Sequence, residues 1–275
     1  MTMIRSMRTA LFVPATHPDR IDKALASGAD EVIVDLEDAV AADQKDRARD
    51  NLRTWLDQAT LPVMVRINAV GQSAYAADIA LCRNHARVSG IVLPKAESGE
   101  DVFCLGAEGK RIWPLIESAA GLSRLAEIAA TDGVERLVAG FLDMALDLGW
   151  NYGTPGTEIM LDRVRYELVL QSRLNGLAQP VDGVYPDIGD TEGLARNAVK
   201  IRDMGFAGML AIHPKQVSVI HEAMQPSEEE IAWAERVIAA AENSQGAFAL
   251  DGAMVDAPVI AKAGQVLARR ITTAG

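Results

Sequence analysis

Short apolar runs recur along this chain at helix-sized intervals, separated by stretches with helical patterning. The runs are TALFVP (9–14), EVIVDLE (31–37), VMVRIN (63–68), GIVLPK (90–95), RIWPLIE (111–117), RLVAGF (136–141), VDGVY (181–185) and GMLAIHP (208–214). Their β-branched content and lack of strict alternation fit strands covered on both faces. In the spacer HPDRIDKALASG, Ile21, Ala24 and Leu25 share a helix face and Gly28 is a natural C-cap. Eight strand–helix repeats predict a parallel sheet, and eight is the number that closes a (β/α)8 TIM barrel. The alternative, an open doubly wound sheet, is weakened by the absence of a G-x-G-x-x-G turn after the first strand.

The pattern changes near Gln225. QPSEEEIAWAERVIAAAENS predicts a long helix with Ser227 as N-cap and an acidic first turn. Its Ile231, Ala234, Val237, Ile238 and Ala241 form one apolar stripe, to be covered by the barrel's own helices or by another chain. The Gly-marked QGAFALDGAMVDAP predicts a turn-rich lid more than strands, with Asp251 and Asp256 far from any basic residue until Lys262. A last helix starts near Pro258. The expected organisation is a barrel over 1–224 and a C-terminal helical extension over 225–275.

With 49% hydrophobic residues among 275, the chain can bury a large core. A net charge of −11 argues against general nucleic-acid binding but leaves room for a locally basic pocket. Cys82 and Cys104 show neither a disulfide framework nor metal-ligand spacing, so both are expected as buried free thiols. The N-terminal run ALFVPA is too short for a signal sequence, and no apolar stretch approaches the ~20 residues of a membrane span. The expected setting is the cytoplasm, with no membrane partner.

In a TIM barrel, chemistry gathers at the C-terminal strand ends. Here those ends carry Asp35, Glu37 and Asp38, then Arg66 and Asn68, Lys95 and Glu97, Glu117, Asp143 and His213. Glu117 and Asp143 follow neighbouring strands, so their carboxylates can converge. Two such groups repel unless a proton or cation separates them, and Mg²⁺ suits one or two carboxylates plus water and substrate oxygens. The plainer reading is a helix cap or a surface ion pair. Arg66, ending an apolar strand, suits a small carboxylate ligand, an ion pair with the DLED acids, or both. Lys95 is either a Schiff-base lysine or the partner of Glu97 or the strand-2 acids. His213 packs a loop or faces the site. His17 is expected to cap the first helix.

The stretches RTALFVPATHPDRIDKALASGADEVIVDLEDAV, VRINA, IVLPKAES, PLIESAAGL, GFLDMALDLG, DGVYPDIGD and GFAGMLAIHPKQV together resemble the HpcH/HpaI aldolase superfamily. Within it they resemble the citrate lyase beta-subunit-like (CitE-like) proteins. The resemblance runs from Arg8 to Val217, with Met144 where Leu is more usual. It implies a TIM barrel that binds Mg²⁺ and cleaves or forms a C–C bond in an acyl-CoA thioester of citryl, malyl or citramalyl type. It assigns Glu117 and Asp143 to the metal, with Glu117 also meeting substrate, and Arg66 to the 2-oxo acid. It makes Asp256 a catalytic group acting in a neighbouring subunit of a homotrimer. It places CoA, as part of the substrate, near the first βα turn, where Arg20 is the candidate contact. Thioester hydrolysis on the same scaffold, and a non-catalytic acyl-CoA-binding subunit, are the alternatives. The implied partners are a small acyl-CoA, or an acyl-carrier arm, and a 2-oxo acid.

Overall fold

Eight parallel strands close into a barrel in sequence order: β1 (Thr9–Pro14), β2 (Glu31–Asp35), β3 (Val63–Arg66), β4 (Val88–Leu93), β5 (Arg111–Ile116), β6 (Val138–Ala139), β7 (Val181–Asp182) and β8 (Gly208–Ala211). β8 pairs back onto β1, so no edge is left open. The structure is a computed structural model that describes residues 7–106, 109–242 and 246–269. The connections carry helices α1 (Ile21–Leu25), α2 (Lys45–Gln58), α3 (Tyr75–Asn84), α4 (Gly99–Gly106), α5 (Ala119–Ser123), α6 (Leu125–Ala129), α7 (Phe141–Asp147), α8 (Pro155–Leu174), α9 (Thr191–Met204) and α10 (Pro214–Met224).

The barrel interior is filled by side chains that include Ile33, Met64, Val92, Trp113, Val138, Val181 and Leu210, all buried. Trp113 shows no exposure, and its indole N–H is satisfied by Glu135 Oε2 at 2.6 Å. Ion pairs join the N-terminal strand ends: Arg111 meets Glu31 at 2.8 Å and Glu135 at 3.5 Å. Nearby, Asp30 accepts from the Arg8 amide at 2.8 Å and sits 3.2 Å from His221 Nε2.

Several apolar runs extend past their strands. The expected strand 136–141 pairs only at Val138 and Ala139; the Gly140 amide adds one last bond to Ile116 O at 3.0 Å, and Phe141 opens α7. The expected 181–185 strand ends at Asp182, a buried acid paired with Arg165 of α8 at 3.1 Å. Cys104 is exposed rather than buried. Val102 and Leu105 take the inner face of α4, which turns Cys104 outward. His17 occupies the N-cap position of the first short helix, but its side chain makes no capping bond.

The chain divides into two compact units after Ala223. The second contains α11 (Glu228–Glu242), β9 (Phe248–Leu250), β10 (Ala253–Val255) and α12 (Ala257–Arg269). Ser227 caps α11 reciprocally: its Oγ accepts from the Glu230 amide at 3.1 Å, and its own amide donates to Glu230 Oε2 at 2.8 Å. The middle of the α11 stripe is covered from within this unit, because Ala234, Val237 and Ile238 pack with Val255, Ala263 and Val266. The expectation of turns more than strands in this segment is likewise corrected. β9 and β10 form an antiparallel hairpin whose turn residues Asp251 and Gly252 both have positive φ, 52° and 80°. Asp251 has a basic partner after all, Arg236 on α11 at 3.1 Å. No helix among the described residues is long and apolar enough to cross a membrane.

Candidate active site

A cavity of about 230 Å³ opens at the C-terminal strand ends. Its charged lining is Asp35, Asp38, Arg66, Glu117 and Asp143; its apolar lining includes Phe12, Leu115, Phe141, Val184, Leu210 and Ile212. Glu117 follows the last residue of β5, and Asp143 lies in the first turn of α7, directly after β6. The structure therefore brings these two sequence-marked acids to one cavity.

Glu117 is 3% exposed and held on both sides. Its Oε1 accepts the Lys95 amide at 2.8 Å. Behind it is Gly140, where a Cβ would lie 2.5 Å from Glu117 Oε2 and from its Cβ. Neighbouring loops are stapled in the same direction: Ser118 Oγ donates to Glu97 Oε1 at 2.7 Å, and Asp147 Oδ2 accepts the Ala119 amide at 2.7 Å. Burial, then the charges of Glu37 and Asp143, push the Glu117 carboxyl up to about 8, against the Lys95 amide that favours its anion. A carboxyl held so high keeps its proton at neutral pH unless a cation takes the proton's place. Among the described residues no three His, Cys, Asp or Glu side chains form a metal cage. Two carboxylates beside an open cavity instead match the donor set of Mg²⁺, which keeps positions for water and substrate oxygens. Glu117 and Asp143 could hold it.

Asp35 and Arg66 are Cα partners across β2 and β3, which places them side by side. Asp35 receives Arg66 Nε and Nη2, both at 2.7 Å, in the bidentate geometry that suits a guanidinium. Asp35 also accepts the amides of Glu37 and Ala39, so it is saturated and acts as the holder of Arg66. The Arg66 guanidinium lies 4.6 Å above the Phe12 ring. Its Nη1 is 3.1 Å from Glu37 Oε2, an ion pair without hydrogen-bond alignment, since that oxygen has no hydrogen-bond partner. The ion-pair reading of Arg66 therefore holds, and the same side chain lines the cavity.

Lys95 Nζ donates to Glu37 Oε1 at 2.8 Å. Burial alone would lower its pKa, but the bond and charge of Glu37 raise it, so the amine is held protonated and is no nucleophile in this state. His213 serves its loop, where Nδ1 accepts the Lys215 amide at 3.1 Å. Arg20 is exposed in the turn after β1 and is not among the residues lining the cavity. Asp256 belongs to the second unit, where Oδ1 accepts the Val259 amide at 3.3 Å at the start of α12. Gly140 and the Lys95 amide were not foreseen from the sequence. Gly140 alone had a local signal, a glycine between an apolar run and an acid.

The family model of HpcH/HpaI aldolase/citrate lyase matches residues 8–214. A "Citrate lyase subunit beta-like protein" of Mycobacterium tuberculosis is 40% identical over 264 residues, covering 94% of each chain. A "(3S)-malyl-CoA thioesterase" of Cereibacter sphaeroides is 34% identical, covering 95% of this chain and 94% of its own. The crystal structure of CitE from Mycobacterium tuberculosis, in complex with magnesium, acetoacetate and coenzyme A, superposes with a TM-score of 0.87. It is 38% identical and covers 96% of this chain and 98% of its own.

Proposed function

The chain belongs to the HpcH/HpaI aldolase/citrate lyase family, and from that premise we propose that it is a magnesium-dependent carbon–carbon lyase acting on a β-hydroxyacyl-CoA thioester of citryl, malyl or citramalyl type. The observation that carries the reading is the pairing of Glu117 and Asp143 with a bidentately held Arg66 around one cavity. The magnesium and coenzyme A of the related CitE crystal structure support it.

In this reading Glu117 and Asp143 hold Mg²⁺, which supplies Lewis acidity toward the oxygens of the 2-oxo acid half. Arg66 grips that half's carboxylate. Of its five N–H donors, two are spent on Asp35 and at most one on Glu37, so two remain for a ligand. A base removes the β-hydroxyl proton, the C–C bond breaks, and the electron pair moves onto the thioester α-carbon, which is then protonated. Asp256 of a neighbouring subunit is the proposed acid/base in a homotrimer, and Arg20 the proposed contact to CoA phosphates.

Thioester hydrolysis is the second reading, favoured by the relative named as a malyl-CoA thioesterase. One assay separates the readings. Purified protein is incubated with citryl-, malyl- and citramalyl-CoA, with Mg²⁺ or with chelator, and the products are identified. A lyase releases a 2-oxo acid and a shorter acyl-CoA. A thioesterase releases free CoA thiol and the hydroxy acid. No product from any thioester would refute both and leave a binding subunit.

A further inference from the structure

Lys95 has a backbone that its residue type disfavours. It is one of two non-glycine residues among those described with positive φ, at 48°, and the other is the hairpin residue Asp251. A glycine would adopt that conformation freely, and side chains are kept there when the site requires them. At Lys95 both halves of the residue are engaged. The left-handed turn aims its amide at Glu117 Oε1, 2.8 Å away. Its side chain crosses to Glu37 Oε1, also 2.8 Å away. Glu37 is buried, and its other oxygen faces Arg66 Nη1 at 3.1 Å.

We propose that Lys95 is the positioning residue that couples the two halves of the site, its amide orienting the Glu117 carboxylate and its ammonium compensating Glu37 so that Arg66 keeps donors free for the substrate carboxylate. The proposal rests on the lyase reading. Lys45 Nζ is bonded to the Glu37 backbone carbonyl at 2.7 Å rather than to its carboxylate. Without the Lys95 ammonium, Arg66 is therefore the cation left against the buried Glu37 carboxylate, which draws further guanidinium N–H groups onto itself. Without the left-handed turn, the amide leaves Glu117. The two roles are separable by substitution, because glycine keeps the turn and loses the ammonium, whereas a β-branched residue opposes both.

The test uses full-length Lys95→Gly, Lys95→Val and Lys95→Arg beside the wild type. Calorimetry measures Mg²⁺ binding alone and pyruvate binding with Mg²⁺ present, and thermal unfolding reports folding. Lys95→Gly is expected to bind Mg²⁺ within about twofold of wild type but pyruvate about tenfold more weakly, the lower end of what outer ligand partners contribute. Lys95→Arg, which restores the charge, is expected to recover part of the pyruvate affinity. Lys95→Val is expected to lose about tenfold in Mg²⁺ affinity as well. Should Lys95→Val not fold, Lys95→Gly alone decides the side-chain role. Wild-type pyruvate affinity in Lys95→Gly, or wild-type Mg²⁺ affinity in a folded Lys95→Val, overturns the coupling. So does borohydride reduction that fixes pyruvate onto Lys95. A wild type that binds neither Mg²⁺ nor pyruvate overturns the lyase reading itself, and the coupling with it.

Discussion

Replacing Gly140 by alanine places a methyl group 2.5 Å from both Cβ and Oε2 of Glu117. Ordinary contact begins near 3.4 Å, so 3.4 − 2.5, or about 0.9 Å, has to be absorbed. The backbone is not the obstacle, since Gly140 has φ −118°, which alanine adopts without strain. Neither neighbour yields easily. The Gly140 amide is bonded to Ile116 O at 3.0 Å, and Glu117 Oε1 is fixed by the Lys95 amide. Metal–ligand distances tolerate only about 0.2 Å, so the displaced carboxylate is expected to weaken Mg²⁺ binding by about 10–100-fold. That corresponds to about 1.4–2.7 kcal/mol at 25 °C. Overpacking adds a stability loss of about 1–3 kcal/mol. The assay is calorimetric titration of Mg²⁺ into Gly140→Ala, with thermal unfolding to establish the fold. Gly156→Ala, where an added Cβ meets nothing within 4 Å, is the control and should bind Mg²⁺ as wild type does. A folded Gly140→Ala with unchanged Mg²⁺ affinity would refute the placement of Glu117 on the metal.

Arg66→Lys keeps the charge but cannot span both oxygens of Asp35; kcat/KM should fall by about 2–3 kcal/mol in transition-state terms, and unchanged kinetics would remove Arg66 from the site. Arg66 is the lone cation lining the cavity among described residues, so pyruvate or glyoxylate should bind more tightly than oxaloacetate, whose second carboxylate meets apolar or acidic walls; competition binding with Mg²⁺ present checks this. Burial alone would raise the Asp30 carboxyl, but hydrogen bonds from His221 and Arg8 hold it below the usual range. Its folded pKa is depressed, so its stabilising effect is present above about pH 4 and lost as pH falls further. Asp30→Asn should therefore cost about 2 kcal/mol at neutral pH, with the gap to wild type in chemical denaturation closing in acid. Mixing inactive Asp256→Ala with inactive Asp143→Ala after subunit exchange should restore activity; verified mixing without activity excludes Asp256 acting across subunits.

The barrel was legible because eight buried strands leave eight apolar runs, and their count constrains closure. Strand lengths were not, because hydrophobicity continues past the hydrogen-bond ladder at Phe141 and Val184. The hairpin in the second unit did leave a signal, the Asp251–Gly252 pair, since both residues of a tight type I′ turn need positive φ. The strand-end acids and Arg66 stood out as polar residues closing apolar runs. Their partners did not, because the pairing of Asp35 with Arg66 depends on strand register and the Lys95–Glu117 contact on a backbone angle. The cover of the α11 stripe was likewise a matter of which apolar faces meet, and the matching face lay on α12.

The staples across the rim bear on how such a site diversifies. Lys95 to Glu117, Ser118 to Glu97 and Ala119 to Asp147 tie the loops after β4, β5 and β6 into one platform. A residue inserted into any of these loops would slide an acid off its mark, so their lengths are not free to drift separately. The loops after β7 and β8 are fastened to each other instead, by Gln216, which bonds Tyr185 O and the Ile212 amide. Val184, Leu210 and Ile212 face the cavity from that second group, and Phe12 does so from β1. Inherited change in substrate range should accumulate on this apolar arc, while the acid-bearing arc stays fixed in length and spacing.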